Sequence, residues 1–150
     1  MKSRPHSVEL VLPDTGETED LGRRLQADLD LRADAVILHV YGEADAYTRP
    51  RWRAILDAAV GAATPRGRLV VDVSAIQFIG CRPILDLAER AQQASTGGVR
   101  VVMFNPYAGV VDRVIAIAGL SAWLPIYPTL AEALNPPVPV RPVVPTPGSG

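Results

Sequence analysis

An α/β fold is what this sequence predicts, and three observations predict it. Leu25 to Leu31 alternates apolar and polar residues, the period of a strand with one buried face, and Ala35 to Tyr41 is a more fully apolar run just after it. Leu69 to Val73 is apolar but for Asp72 and does not alternate, as suits a central strand covered on both faces. Around these runs stand segments whose apolar residues recur at helical spacing, so strands and helices interleave along one chain.

The elements follow in order. Within residues 1–24, Val8 to Leu12 is a short apolar run suited to a strand, and Asp14 to Asp20 is an acidic, turn-rich stretch expected to be a mobile connection. In residues 25–31, Leu25, Ala27, Leu29 and Leu31 face one way and Gln26, Asp28 and Asp30 the other. Arg32 to Asp34 makes a turn, so this strand and Ala35 to Tyr41 form a hairpin. A first helix is expected from about Thr48 to Ala62, because Trp52, Ile55, Leu56, Ala59 and Val60 make one apolar stripe and Pro50 suits a first turn. Thr64 to Gly67 is a loop before the strand 69–73.

A short loop then leads into a second helix from Pro83 to Ala94, with Ile84, Leu87, Ala88 and Ala91 inward. Gly97-Gly98 ends it, and Val99 to Phe104 is the next strand. Asn105-Pro106 starts a third helix with Val110, Val111, Val114, Ile115 and Ala118 inward and Gly119 as its C′ residue. Leu124 to Tyr127 is a short last strand. Thr129 and Glu132 have capping-box spacing, which predicts a short fourth helix. Trp52 and Trp123 are read as core or near-core anchors.

One domain fits 150 residues, with an N-terminal extension (1–24), a folded unit (25–134) and a tail (135–150). The tail holds six of the fourteen prolines and ends Gly-Ser-Gly. It reads as a solvated, disordered or polyproline-like segment, with a ligand for a proline-binding module as the alternative. A net charge of −1 gives no electrostatic case for nucleic acid or an anionic membrane. No apolar run reaches the roughly 18 residues of a membrane span, and the first residues carry no signal-like apolar segment. The chain is therefore expected to be soluble and cytoplasmic. One cysteine, Cys81, excludes an internal disulfide and a multi-cysteine zinc cluster. Neither histidine, His6 or His39, stands near it in sequence. With no triad, acid/base pair or metal-ligand spacing, no enzyme, cofactor or metal is expected.

The stretch from Val70 to Leu85 resembles the centre of a STAS domain, the family of the bacterial anti-sigma factor antagonists, or anti-anti-sigma factors. That family reads apolar strand, Asp-Leu-Ser, a few apolar residues, Phe-Ile, Asp-Ser-Ser-Gly, then a Leu-rich helix. Asp72-Val73-Ser74 and Phe78-Ile79 match, and Gly80-Cys81-Arg82-Pro83 stand where the family has Asp-Ser-Ser-Gly. Gly42-Glu43-Ala44-Asp45 is similar to the family's Gly-Glu-Leu-Asp. Ala118-Gly119-Leu120, Ile126-Tyr127 and Leu130 to Leu134 are similar to its closing corner, strand and helix. The resemblance covers about residues 25–134. It implies a small mixed β-sheet of four to five strands with about four helices largely on one side.

The resemblance also implies a function: a non-enzymatic interaction domain that binds an anti-sigma factor, a serine kinase-like ATPase, and so releases a sigma factor to alter transcription. The binding surface it implies is the Asp45 loop, the loop Gly80, Cys81, Arg82 and Pro83, and the first turns of the second helix from Ile84. In regulated members the first Ser of the motif is phosphorylated by the partner kinase, and the phosphate expels the anti-sigma factor. Cys81 occupies that position, so the phospho-switch is expected to be lost.

Three readings of Cys81 stand open: a small residue packed near the loop, a Ser position frozen in its unphosphorylated-like form, and a reactive thiol favoured by a helix start and Arg82. Arg82 is the N-cap by location if Pro83 opens the helix, leaving the N–H groups of Ile84 and Leu85 without a capping side chain. It is either simply exposed or in contact with a partner or an anion. Asp45 is a turn or cap residue or a partner contact. Asp72 and Ser74 are read as loop-organising. Two other classes remain: a diverged scaffold binding another protein or a small ligand, and a thiol-based redox sensor. A homodimer is left open.

Overall fold

The computed structural model describes residues 7–10, 19–107 and 109–136. In chain order the elements are β1 (Ser7–Glu9), α1 (Glu19–Arg24), β2 (Leu25–Leu31), β3 (Val36–Ala44) and α2 (Arg49–Ala63). Then come β4 (Arg68–Asp72), β5 (Ile76–Ile79), α3 (Cys81–Thr96) and β6 (Arg100–Phe104), followed by α4 (Val110–Ile117), β7 (Ile126–Tyr127) and α5 (Leu130–Leu134). The expected strand at Val8 to Leu12 is represented by β1; residues 11 and 12, residues 14–18 of the acidic stretch and the tail from 137 onward lie outside the described residues, while Glu19 and Asp20, expected in a mobile connection, open the helix α1.

The strands form one mixed sheet in the order β1-β2-β3-β4-β6-β7, with β5 pairing β3 beyond the end of β4. β2 and β3 are the expected antiparallel hairpin, while β3-β4, β4-β6 and β6-β7 are parallel. Among the described residues seven strands form, more than the expected four to five, because short pieces join the sheet at its margins. Among the described residues the one wholly unexpected strand is β5. Its four residues fall where the sequence predicts a loop, but they continue the edge of β3, which runs on to Ala44 to meet them. A register shift between Gly42 and Glu43 accommodates the pairing. Gly42 has φ +98°, and a Cβ there would overlap the Arg24 carbonyl, so no other residue type fits without displacement.

Alternation along the parallel strands divides the core into two layers. Val36, Leu38 and Val40 of β3 face α2 and α3 together with Leu69 and Val71 of β4 and Val101 and Met103 of β6. Trp52, Ile55, Leu56 and Ala59 from α2, and Ile84, Leu87, Ala88 and Ala91 from α3, cover them, joined by Val111 and Ile115 of α4. Burying each large apolar side chain contributes roughly 1.5–3 kcal/mol, so this layer carries most of the hydrophobic stabilisation. The opposite face is smaller: Ile37, Val70 and Val102 lie under Ala133, with Leu130 and Leu134 of α5 alongside. Helices are thus largely, though not wholly, on one side.

Several sequence expectations are corrected. Asp30 is buried, on the face it shares with Ile37, and its carboxylate pairs with Arg32 at 3.2 Å. Trp52 is fully buried, but Trp123 is 40% exposed and stands outside the core, at a surface recess it shares with Ala91 and Val101. Ala118 is exposed at the end of α4. Gly119 is the expected C′ residue, at φ +72°, and the Leu120 N–H closes back on the Ile115 carbonyl at 3.0 Å. α3 begins at Cys81, two residues before the expected Pro83. Pro83 at the third helical position costs no hydrogen bond, since first-turn N–H groups have no partner within the helix.

Candidate interaction surface at the β5–α3 junction

The loop after β3 and the loop before α3 are one unit. β5 lies parallel to the end of β3, with Ala44 opposite Ile79, and the Gly80 N–H donates to the Ala44 carbonyl at 2.9 Å. Asp45 and the segment 80–83, distant in sequence, therefore meet on one edge of the molecule. Asp45 is half-buried and closes the turn into α2: its Oδ1 accepts from the Thr48 N–H at 2.9 Å, and its own N–H donates to Thr48 Oγ1 at 3.0 Å. The Thr48 hydroxyl in turn donates to the Glu43 carbonyl at 2.8 Å.

At the start of α3 the N-cap is Gly80, in extended conformation, and not Arg82. Gly80 has no side chain, and none other caps the helix. The Ile84 N–H, expected to be open, donates to the Gly80 carbonyl at 3.2 Å. The donors left without intrahelical partners are those of Cys81 and Arg82, since Pro83 has none. Cys81 is a free, exposed thiol on the first helical residue, which removes the reading of a buried packing residue. Pro83 and Ile84 are buried. The Pro83 carbonyl accepts from the Trp52 indole N–H at 2.9 Å, fixing the first turn of α3 to α2. The outward face of the junction thus belongs to Cys81 and Arg82, with Pro83 and Ile84 as its footing.

Arg82 is not simply exposed. Its Nε donates to Asp86 Oδ1 at 3.1 Å and its Nη2 reaches the Glu89 carboxylate at 3.1 Å. Asp86 is buried at the α2–α3 seam and also receives Arg49 bidentately, Nε to Oδ2 at 2.8 Å and Nη2 to Oδ1 at 3.1 Å. Burial pushes the Asp86 pKa up, but the hydrogen bonds from Arg49 and Arg82 outweigh it and hold the carboxyl below its ordinary value. The Arg49 guanidinium is correspondingly raised by its bond to Asp86. The i, i+4 spacing of Arg82 and Asp86 is visible in the sequence. Arg49, 37 residues from Asp86, enters only through helix packing.

Beneath the junction, on the face of α5, Asp72 ends β4. Its Oδ1 accepts from the Ser74 N–H at 2.8 Å, and its Oδ2 lies 2.6 Å from His39 Nδ1. Both side chains are buried. Burial raises the Asp72 pKa, yet the bonds to His39 and Ser74 win and hold it below the ordinary carboxyl value. His39 is a partner that sequence reasoning missed, since 33 residues separate the pair. The parallel register that sets His39 beside Asp72 is what joins them. Among the described residues no group of three or more His, Cys, Asp or Glu could hold a metal ion, and no helix is long and apolar enough to cross a membrane.

The family model of the STAS domain matches residues 26–133. The chain belongs to the STAS domain family. The candidate anti-anti-sigma factor Rv2638 of Mycobacterium tuberculosis is 35% identical over 136 residues, 89% of this chain and 88% of that protein. The anti-sigma-F factor antagonist RsfA of the same species is 31% identical over 118 residues, 79% of this chain and 91% of that protein. Among solved structures, an anti-sigma factor antagonist from Mycobacterium paratuberculosis superposes with a TM-score of 0.62 at 25% identity, covering 73% of this chain and 91% of that one.

Proposed function

We propose that this protein is a non-enzymatic regulatory domain that binds an anti-sigma factor of the serine kinase-like ATPase class and so frees a sigma factor. Phosphate on residue 81 plays no part in its control. The observation that carries the reading is the Gly80 N–H bond to the Ala44 carbonyl, which joins the Asp45 turn to the Cys81–Arg82 corner as one continuous surface. The relatives named as antagonists of anti-sigma factors support the class of partner. Cys81 offers a thiol where the family's switch needs a hydroxyl, and Arg82 adds a positive charge beside it.

The test is native capture followed by a phosphorylation assay. Wild type is compared with a variant carrying Gly80→Asp, Cys81→Ser, Arg82→Ser and Pro83→Gly. The reading expects both to capture a kinase-like anti-sigma factor and only the variant to take phosphate from ATP. Capture by the variant alone would mean that the natural loop has left that partner, and the diverged-scaffold reading would replace this one. The exposure of Cys81 favours a second reading, a thiol-based sensor. Alkylation of Cys81 at neutral pH no faster than that of a free small thiol would sink it.

A further inference from the structure

The seam between α2 and α3 is a groove whose charges are layered. Its floor holds the buried Asp86. Arg49 and Arg82 occupy both oxygens of that carboxylate, yet 36% of the Arg49 side chain and 47% of the Arg82 side chain remain exposed. The negative charge is therefore inside, and both arginine side chains stay partly outside. Arg53, one turn along α2 from Arg49, lines the same groove, is exposed, and makes no ion pair among the described residues. Arg90 faces it from α3 and leans on the exposed Asp57 at 3.0 Å. Four arginines thus stand along a rim whose exposed acids are Asp57 and Glu89. The chain as a whole is slightly acidic, so this cationic rim is a local feature rather than the general surface.

We propose that this groove is a docking site for an acidic segment of a protein partner, seated on Arg49, Arg53, Arg82 and Arg90. A guanidinium presents a planar fork of donors that matches a carboxylate. Asp86 and Glu89 already hold two of these side chains in place, so little rotamer freedom is lost when a partner arrives. Arg82 belongs to both the groove and the corner at Cys81, which makes the two surfaces continuous. The inference rests on the reading of this edge as the partner surface, and it fixes the chemistry of what that edge meets: carboxylates, not cations.

A defined peptide tests this independently of any anti-sigma factor. A glutamate-rich helical peptide is titrated into the ¹⁵N-labelled full chain, with a lysine-rich peptide of equal length and a single-stranded DNA oligonucleotide as the other arms. Saturable shifts confined to the Arg49, Arg53, Arg82 and Arg90 surface are expected with the glutamate peptide alone. They should weaken as salt rises from about 50 to about 300 mM. Arg53→Glu, which breaks no ion pair among the described residues, should keep the fold and weaken binding about fivefold. Arg82→Gln should weaken it too, and Arg113→Glu, exposed on α4, should leave it unchanged. Shifts scattered over arginines elsewhere, binding that survives Arg53→Glu, or tighter binding of the oligonucleotide would each overturn the proposal. Failure here would leave anti-sigma factor capture standing as a separate result, and failure of that capture would leave a positive peptide titration intact.

Discussion

Asp72 and Asp86 bracket the same stretch of chain, one at the end of β4 and one in the second turn of α3, and both carboxyls are held below their ordinary pKa. Their surroundings differ. Asp72 is inside, bonded to a buried imidazole and to a backbone N–H. Asp86 is equally hidden, but its partners are two arginines whose side chains are partly exposed. A carboxylate with interior partners can only organise: it sets where the chain leaves β4. A carboxylate that neutralises one side of two exposed guanidiniums also presents them. The two ends of the junction therefore divide the labour of shaping the loop and charging its surface.

Removing each carboxylate should separate those roles, and the larger loss belongs to the interior. Asp72→Ala leaves the Ser74 N–H and a buried imidazole without their acceptor, a change expected to cost about 3 kcal/mol. Asp72→Asn keeps the shape and one acceptor oxygen and should cost about half that. Asp86→Ala falls between the exposed and the buried case, because its partners can turn to water, and should cost about 1–2 kcal/mol. Urea unfolding of the three variants checks the order. A loss from Asp86→Ala equal to that from Asp72→Ala would abolish the distinction.

Acid should touch both sites in the same direction. Each folded pKa is depressed, so each carboxylate contributes stability that is fully present above the unfolded value, about 3.9, and is lost as pH falls through the folded value. The melting temperature should hold down to about pH 5 and then decline. Asp72→Asn and Asp86→Asn should each flatten part of the decline. Added salt should shrink the Asp86 share and leave that of Asp72 nearly intact, because screening reaches solvent-facing pairs first. Equal salt sensitivity in the two variants would argue against the interior character of Asp72.

Local periodicity made most of the fold legible. The stripes of α2 and α3 and the alternation of β2 are written in consecutive residues, and all of Trp52, Ile55, Leu56, Ala59, Ile84, Leu87, Ala88 and Ala91 are buried as expected. β5 was not legible, because Ile76 to Ile79 is only four residues long and its pairing depends on how far β3 extends. The site divides the same way. Motif order located Asp72, Ser74 and the 80–83 corner, whereas His39 and Arg49 are partners chosen by register and helix packing. The misplaced N-cap has a specific cause. Proline is commonest at the first helical position, which points to Pro83 as the helix start, but proline is tolerated throughout a first turn that needs no N–H.

The smallest expected effect concerns that cap. Gly80 sits at the N-cap with extended backbone, φ −80° and ψ 171°, which any residue can adopt. A Cβ there would meet the Phe78 ring at 3.6 Å, Pro83 Cδ at 3.7 Å and the Ala44 carbonyl oxygen at 3.8 Å, all ordinary contacts. The position thus has room for the aspartate that the family motif carries, and an aspartate could accept from the N–H of Arg82, which has no intrahelical partner, while favouring the positive end of the α3 dipole. Gly80→Asp should stabilise the fold by a few tenths of a kcal/mol, up to about 1 kcal/mol, read as a shift in the urea midpoint at constant slope. The new charge would also draw on Arg82, so the same variant should weaken the glutamate peptide at the groove. A variant that is more stable yet binds the peptide unchanged would show that the cap and the cationic rim are independent. A variant that is less stable would show that the junction requires glycine for a reason beyond its backbone geometry.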